Sequence, residues 1–99
     1  LRGPSGYGLP VNDESSTPDH IGRYNHFTGG RSIYWTPATG AHAVYGAIRS
    51  KWAALGWERS RLGYPTTDEF GIPGGRESDF QRGRIWWNAT TRITTVKYT

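Results

Sequence analysis

The fold of this 99-residue chain is decided by the run from Ile33 to Pro65, IYWTPATGAHAVYGAIRSKWAALGWERSRLGYP. The run predicts a strand, a turn, one helix and a second turn. Apolar residues recur in it at the spacing of a single helical face, and Gly56 stands where a left-handed cap ends a helix. We therefore expect a helix of about ten residues that starts near Ala47. The apolar positions are Val44, Ile48, Trp52 and Leu55.

Segments on both sides of this run repeat one another. PTTDE at 65–69 echoes PVNDE at 10–14, and RIWW at 84–87 echoes SIYW at 32–35. A unit of this kind cannot bury its own apolar face and needs a neighbour to close a core. The sequence therefore predicts an α+β fold: two pseudo-repeated antiparallel β-hairpins packed on one central α-helix. The predicted divisions are a linker-like segment, 1–9, and a single domain, 10–99, made of repeat one, 10–64, and a truncated repeat two, 65–99.

The two hairpins are predicted to present equivalent aromatic residues to opposite sides. Gly29 and Gly30 separate the strands of the first hairpin, because glycine accepts the positive φ of a tight turn. Since side chains alternate along a strand, the core-facing set is expected to be Ile33 and Trp35 in the first hairpin, with Ile85 and Trp87 in the second. Tyr34 and Trp86 would then lie on the faces turned away from the helix.

Composition narrows the possible partners. The chain has no Cys and no Met, so stability has to come from packing and turns. No run approaches the roughly 18 apolar residues of a membrane span, and we expect no membrane insertion. The net charge of +4 comes from the last 20 residues, which contain no acid. These basic residues favour an anionic partner, or else they are a solvated edge that resists aggregation. They are Arg82, Arg84, Arg92 and Lys97.

Polar groups in catalytic patterns are not found. The pairs Asp13-Glu14 and Asp68-Glu69 recur in the same context, whereas an acid and a base need different surroundings, so we expect them to cap turns. The histidines lack metal-ligand spacing, and His42 is expected to form a hydrogen bond between hairpin and helix. No strained-turn serine is present. We predict no catalytic residue, no metal and no cofactor.

The outward aromatics are the best candidates for binding. An exposed ring flanked by polar residues suits a sugar, whose apolar face stacks on the ring while neighbours bind its hydroxyls. The alternative is that Tyr34 and Trp86 fill a second small core. Nucleic acid is an improbable partner, because Arg and Lys are balanced by acid in the rest of the chain. The candidate ligand-binding residues are Tyr34, Trp86, Arg84, Arg82, Asn88 and His42.

Several of these motifs together resemble the LGFP-repeat family. The tetrapeptide of the family's name appears as Leu62-Gly63-Tyr64-Pro65, followed by TTDE at 66–69, with the TGAH turn at 39–42 and the helix ending WAALG at 52–56. Two departures are visible. The first tetrapeptide is Tyr7-Gly8-Leu9-Pro10, and the second repeat has TTRITT at 90–95, without the Gly-His turn or a following helix.

The resemblance implies a module appended to actinobacterial envelope enzymes such as mycolyltransferases and peptidoglycan hydrolases, or to mycobacteriophage endolysins. On that basis the expected function is non-catalytic binding to peptidoglycan or an arabinogalactan-type polymer, which targets a covalently linked catalytic domain. The expected location is the cell envelope or the outer face of the wall; a phage-encoded protein would pass from the host cytoplasm to the wall. The alternative is a structural or protein-interaction spacer without a glycan ligand.

Overall fold

A computed structural model describes Leu9 and residues 14–99, and it confirms the α+β class. Each predicted hairpin is the centre of a larger, four-stranded antiparallel sheet. The elements in chain order are β1 (Ser15–Ser16), β2 (Arg23–Phe27), β3 (Arg31–Thr36), β4 (Gly40–Tyr45), α1 (Gly46–Leu55), a 3-10 turn (Trp57–Arg59), β5 (Phe70–Ile72), β6 (Gly75–Phe80), β7 (Gly83–Asn88) and β8 (Thr94–Tyr98).

The strands follow one another in both sheets. Sheet one has the order β1-β2-β3-β4 and sheet two the order β5-β6-β7-β8. Gly29 and Gly30 form the predicted turn with φ values of 84° and 74°. At the next turn the Thr36 hydroxyl accepts the N–H of Thr39 at 3.0 Å. Both predicted hairpins are present, and β5 and β8 extend the second one to four strands. The sequence did not predict β8, because it is rich in Thr and has little of the apolar alternation that marks a strand.

The single helix has the predicted length and end. It runs from Gly46 to Leu55, one residue earlier than expected, and Gly56 caps it in the left-handed region at φ 117°. The Gly56 N–H donates to the carbonyls of Trp52 at 3.2 Å and Ala53 at 3.1 Å. Two of its apolar side chains, Ile48 and Trp52, are buried.

Trp52 lies at the centre of the main core, between the two sheets. Its ring centroid is 4.7 Å from that of Tyr34 in sheet one and 5.3 Å from that of Phe80 in sheet two. Its indole N–H donates to the Gly63 carbonyl at 3.2 Å. One side chain thus joins the helix to both repeats.

The predicted outward position of Tyr34 is wrong. Tyr34 is 2% exposed and belongs to the main core, together with Ile85 of sheet two. Tyr34 and Trp86 occupy equivalent positions in their sheets. Each lies in the third strand, where Tyr34 pairs with Tyr24 and His42, and Trp86 pairs with Glu77 and Thr95. Because α1 lies between the sheets, it covers one face of sheet one and the opposite face of sheet two. Equivalent residues therefore have opposite environments.

The other face of sheet one is also buried. Phe27, Ile33 and Ala43 form a second, smaller apolar cluster, so Ile33 is buried as predicted but on the side away from the helix. In sheet two, Ile85 and Trp87 pack in or against the main core. The predicted core face is therefore correct for sheet two only.

The tetrapeptide at 62–65 is a buried link between the repeats. Leu62 and Tyr64 belong to the main core. Gly63 has a φ of 77°, a backbone conformation that favours glycine. The Tyr64 hydroxyl lies 2.7 Å from Thr17 Oγ1 and 2.8 Å from both carboxylate oxygens of Asp19. The segment between the two repeats is thereby bonded to the start of the first repeat.

Electrostatics favour this contact. Desolvation, the largest influence, raises the pKa of Asp19, but hydrogen bonds from Thr17, the Ile21 N–H and Tyr64 outweigh it and leave that pKa below its ordinary value. Burial raises the pKa of Tyr64 to about 12. At neutral pH a protonated phenol therefore donates to an ionised carboxylate, which makes a stronger bond than two neutral groups do.

Replacing Tyr64 with Phe is expected to lower the free energy of unfolding by about 1–2 kcal/mol, because the buried Thr17 and the ionised carboxylate of Asp19 lose a donor. Urea unfolding followed by Trp fluorescence measures the change. The matched control is Tyr98→Phe, whose ring packs under Arg61 outside this network and whose loss should be smaller. Equal losses in the two variants would contradict the linking role of the Tyr64 hydroxyl.

Some sequence predictions lie outside the described residues. They are the linker-like character of segment 1–9 apart from Leu9, the first tetrapeptide apart from Leu9, and the turn-capping role of the pair Asp13-Glu14 as a unit.

Candidate functional site

The face of sheet two that turns away from α1 carries the predicted residues Trp86 and Arg84. Cross-strand pairing sets Asp79, Arg84 and Lys97 in one row and Glu77, Trp86 and Thr95 in the next. We call this surface the outer face. Its residues alternate along each strand with the core-facing ones, so their side chains project together from one side of the sheet. The members of the outer face are Glu77, Asp79, Arg84, Trp86, Thr95 and Lys97.

The outer face is charged where its counterpart in sheet one is not. The positions of Arg84 and Lys97 correspond by register to Ser32 and Val44, which are buried in sheet one. Covering the charged pair with an apolar helix would cost several kcal/mol. The residues of this face therefore favour solvent or a polar ligand over a further helix.

Trp86 presents a half-exposed ring beside a cation. The guanidinium of Arg84 lies 5.2 Å from the ring centroid, within the distance of a cation–π contact. Arg84 itself is exposed. The two side chains form a flat apolar and cationic surface, which can stack on a planar or ring-shaped group and bind its oxygens.

Two carboxyl groups lie next to this surface. The hydrogen bond with Asp79, together with desolvation and the Asp79 charge, raises the pKa of Glu77 to about 7, although Arg84 acts in the opposite direction. A groove of about 480 Å³ runs along the two carboxyl groups. Its lining includes Thr66, Glu77, Asp79, Arg84, Lys97 and Thr99.

Acidic residues make this region less positive than the sequence predicted. Sequence position placed the positive excess at the C-terminal end, but strand pairing sets Asp79 beside Arg84 and Lys97. The outer face is mixed in charge and not simply cationic. Glu77 and Asp79 are the residues that sequence reasoning missed, and Lys97, noted only for its charge, was not placed beside Arg84. Two-residue alternation along β6 and β8 would have found them, had those strands been predicted at full length.

Two of the other predicted residues have structural partners. Arg82 lies in the turn before β7, and its Nε donates to the Arg61 carbonyl at 2.7 Å. Asn88 ends β7, and its Oδ1 accepts the N–H groups of Thr90 at 2.9 Å and Thr91 at 3.0 Å. Asn88 thus caps a turn. Tyr34, buried in the main core, has no surface on the outer face.

His42 joins the two repeats. Its Nε2 is 2.7 Å from the Thr39 carbonyl and its Nδ1 is 3.1 Å from Asp68 Oδ1. The same Asp68 oxygen accepts the Ala43 N–H at 3.1 Å. The expectation that Asp68 caps its own turn is therefore wrong, because its carboxylate reaches back to β4. His42 forms a predicted type of hydrogen bond, but to the next repeat and not to the helix.

The described residues contain neither a metal-binding group nor a helix that could cross a membrane. Among residues 14–99 and Leu9, no three His, Asp or Glu side chains are grouped to hold a metal ion. No described helix is long and apolar enough to cross a membrane.

The geometry defines a class: a tandem-repeat module of two four-stranded sheets that share one helix and leave one polar sheet face open. The family model of the LGFP repeat matches residues 8–60 and 62–98. The chain belongs to the LGFP repeat family, a family of non-catalytic repeats. A comparison with curated proteins found no match.

Proposed function

We propose that this chain is a non-catalytic module that binds a cell-wall polysaccharide or peptidoglycan through the outer face and thereby targets a covalently linked enzyme to the cell envelope. The observation that carries the proposal is the half-exposed Trp86 ring, with Arg84 beside it, on a face whose charges oppose burial under another repeat. An aromatic ring with donors and acceptors around it is the usual chemistry of sugar recognition.

The mixed charge of the outer face indicates which chemical groups the ligand should carry. Arg84 and Lys97 can bind carboxylate or phosphate groups of a wall polymer, while Glu77 and Asp79 accept hydroxyl or amino groups. A highly anionic polymer such as nucleic acid would face the acid pair, which disfavours it. Single-module binding is expected to be weak, and several modules on one polymer would raise the overall affinity.

Sedimentation with purified mycobacterial cell wall tests the proposal. The wild type is expected in the pellet, and Trp86→Ala should release most of it, since a stacking contact is worth about 1–3 kcal/mol, or up to about a hundredfold in affinity. Arg84→Ala should weaken binding less. The matched control is Lys51→Ala on α1, which removes the same charge from another surface. A wild type that stays in the supernatant ends the proposal.

A spacer or protein-interaction module is the second candidate. The alternating charges of the outer face favour it, because they are also what a solvated sheet surface requires. Intrinsic Trp fluorescence separates the two functions. If the outer face binds glycan, soluble wall fragments should change the emission of the wild type, and the change should be smaller in Trp86→Ala. If the module is a spacer, the fragments should leave the emission of both proteins unchanged.

A further inference from the structure

A second groove lies on repeat one, beside the 3-10 turn that follows the helix. It has a volume of about 550 Å³. Its lining is aromatic on one side and polar on the other, and of its residues only Tyr34 was among the ligand-binding candidates predicted from the sequence. We call it the aromatic groove. The residues that matter are Tyr24, His26, Tyr34, Trp57, Glu58 and Arg59.

Three of its rings form a nearly parallel row. Tyr24 and Tyr34 stack with centroids 5.2 Å apart and planes 11° apart, and Tyr34 and Trp57 lie 6.1 Å apart at 21°. Tyr34 is the buried centre of this row, whereas Tyr24 and Trp57 are half-exposed on either side of it. The two half-exposed members of the row, Tyr24 and Trp57, therefore present apolar ring surface to the groove.

The backbone holds Trp57 in an unusual conformation. Its φ is 59°, directly after Gly56 at φ 117°. A left-handed conformation is uncommon in a bulky residue and costs of order 1–3 kcal/mol, which the surrounding structure has to offset. Strain of this kind concentrates at binding sites. Here it keeps Trp57 in the lining of the groove.

Glu58 lies on the polar side of the groove, and one of its carboxylate oxygens lacks a hydrogen-bond donor among the described residues. The residue is 9% exposed, and its Oε2 receives no hydrogen bond from the part of the chain that the structure describes. Desolvation, followed by the charge of Asp19, raises the pKa of Glu58 above its ordinary value. A buried acceptor without a donor is destabilising, so retaining one in a groove points to a ligand that supplies the donor.

The surrounding charges limit which ligand can enter. Arg49 already lies 5.1 Å from the centroid of Trp57, and the exposed Arg59 lines the groove, so a cation would be repelled. Glu58 and Asp19 similarly oppose an anion. An uncharged molecule with an apolar ring face and hydroxyl groups fits the groove, because the ring face can pack on the aromatic side chains and a hydroxyl can donate to Glu58.

We propose that the aromatic groove binds a neutral sugar ring of a polysaccharide, with the ring against Trp57 and a hydroxyl group donating to Glu58 Oε2. The ligand class rests on the proposed function, but the groove is separate from the outer face. Repeat one would thus hold the sugar chain at a second place.

The test is a titration with two soluble probes, followed by NMR of the five indole N–H groups. The probes are chitotetraose, a tetramer of N-acetylglucosamine, and soluble arabinogalactan oligosaccharides. At about 10 mM probe, suited to a millimolar Kd, the Trp57 signal is expected to move with at least one probe. The signal of Trp52, which is buried and bonded to Gly63, is the internal reference. The probe that moves the Trp57 signal shows which type of wall polysaccharide the groove binds.

Two variants test the role of Glu58. Glu58→Gln keeps the shape but loses the charge-assisted hydrogen bond and should weaken binding about fivefold, whereas Glu58→Leu should weaken it at least about tenfold. Glu58→Leu should unfold at higher urea concentration than the wild type, because no unpaired buried polar group remains at this position. Glu58→Gln keeps an unpaired buried amide and should change the stability less. Lys51→Ala, on α1 and outside the groove lining, is the matched control and should leave the Trp57 shift unchanged.

The outcomes separate this inference from the proposed function. No movement of the Trp57 signal with either probe overturns the groove site, even where wall sedimentation succeeds. Equal affinity of wild type and Glu58→Leu overturns the role of Glu58. Movement of Trp57 together with failed sedimentation would support the groove and contradict the outer face.

Discussion

Trp52→Ala is expected to remove most of the stability of this protein. The side chain is completely buried, contacts rings of both sheets and donates a hydrogen bond to Gly63. Large-to-small changes of a buried aromatic cost about 3–5 kcal/mol. A domain of this size has roughly 5–15 kcal/mol in total. Urea unfolding followed by far-UV circular dichroism measures the loss.

Trp86→Ala is the matched control for this experiment. It removes the same side chain from the half-exposed outer face, and we expect a loss of about 1 kcal/mol or less. Losses of equal size would mean that Trp52 does not join the two repeats. The control also establishes that Trp86→Ala remains folded for the wall-binding experiment.

Gly75→Ala is expected to have the second largest effect. A Cβ atom on Gly75 would lie 1.8 Å from the carbonyl oxygen of Trp87, which is backbone in the paired strand and cannot turn away. Strands β6 and β7 would have to separate where Gly75 pairs with Asn88. Overpacking of this kind costs about 1–3 kcal/mol, occasionally more. We expect a loss near the upper end, because hydrogen bonds of the ladder are disturbed as well.

Gly71→Ala is the corresponding control. Gly71 lies opposite Arg76 in the neighbouring strand, and the nearest atom to an added Cβ would be the Arg76 side-chain nitrogen at 3.6 Å, an ordinary contact. We expect a change within about 0.5 kcal/mol. If Gly71→Ala were as destabilising as Gly75→Ala, loss of glycine as such would explain both, and the close approach of Trp87 would not.

Local patterns predicted the elements near the helix well. The spacing of Ile48 and Trp52 marked one helical face, and Gly56 marked its end, because both signals act within a few residues. The strands β5 and β8 were missed. Their residues form strands through pairing with β6 and β7, and pairing partners are not visible in short segments.

The candidate sites were harder to predict than the helix, because they are formed by residues that are far apart in the sequence. Trp86 was selected correctly as a residue turned away from the helix, but its acidic neighbours Glu77 and Asp79 belong to another strand. Glu58 could not be selected at all, because its burial results from the packing of the 3-10 turn against β2 and β3 residues of repeat one. No spacing rule connects these positions.

The sequence by itself determined the repeat, the α+β class, the helix with its cap, and which side chains share a strand face. Only the tertiary structure decided which face of each sheet the helix covers. Alternation is a property of the strand alone, whereas the covered side depends on where the helix docks between the sheets. For that reason Tyr34 is core and Trp86, at the same register position, is open to a ligand.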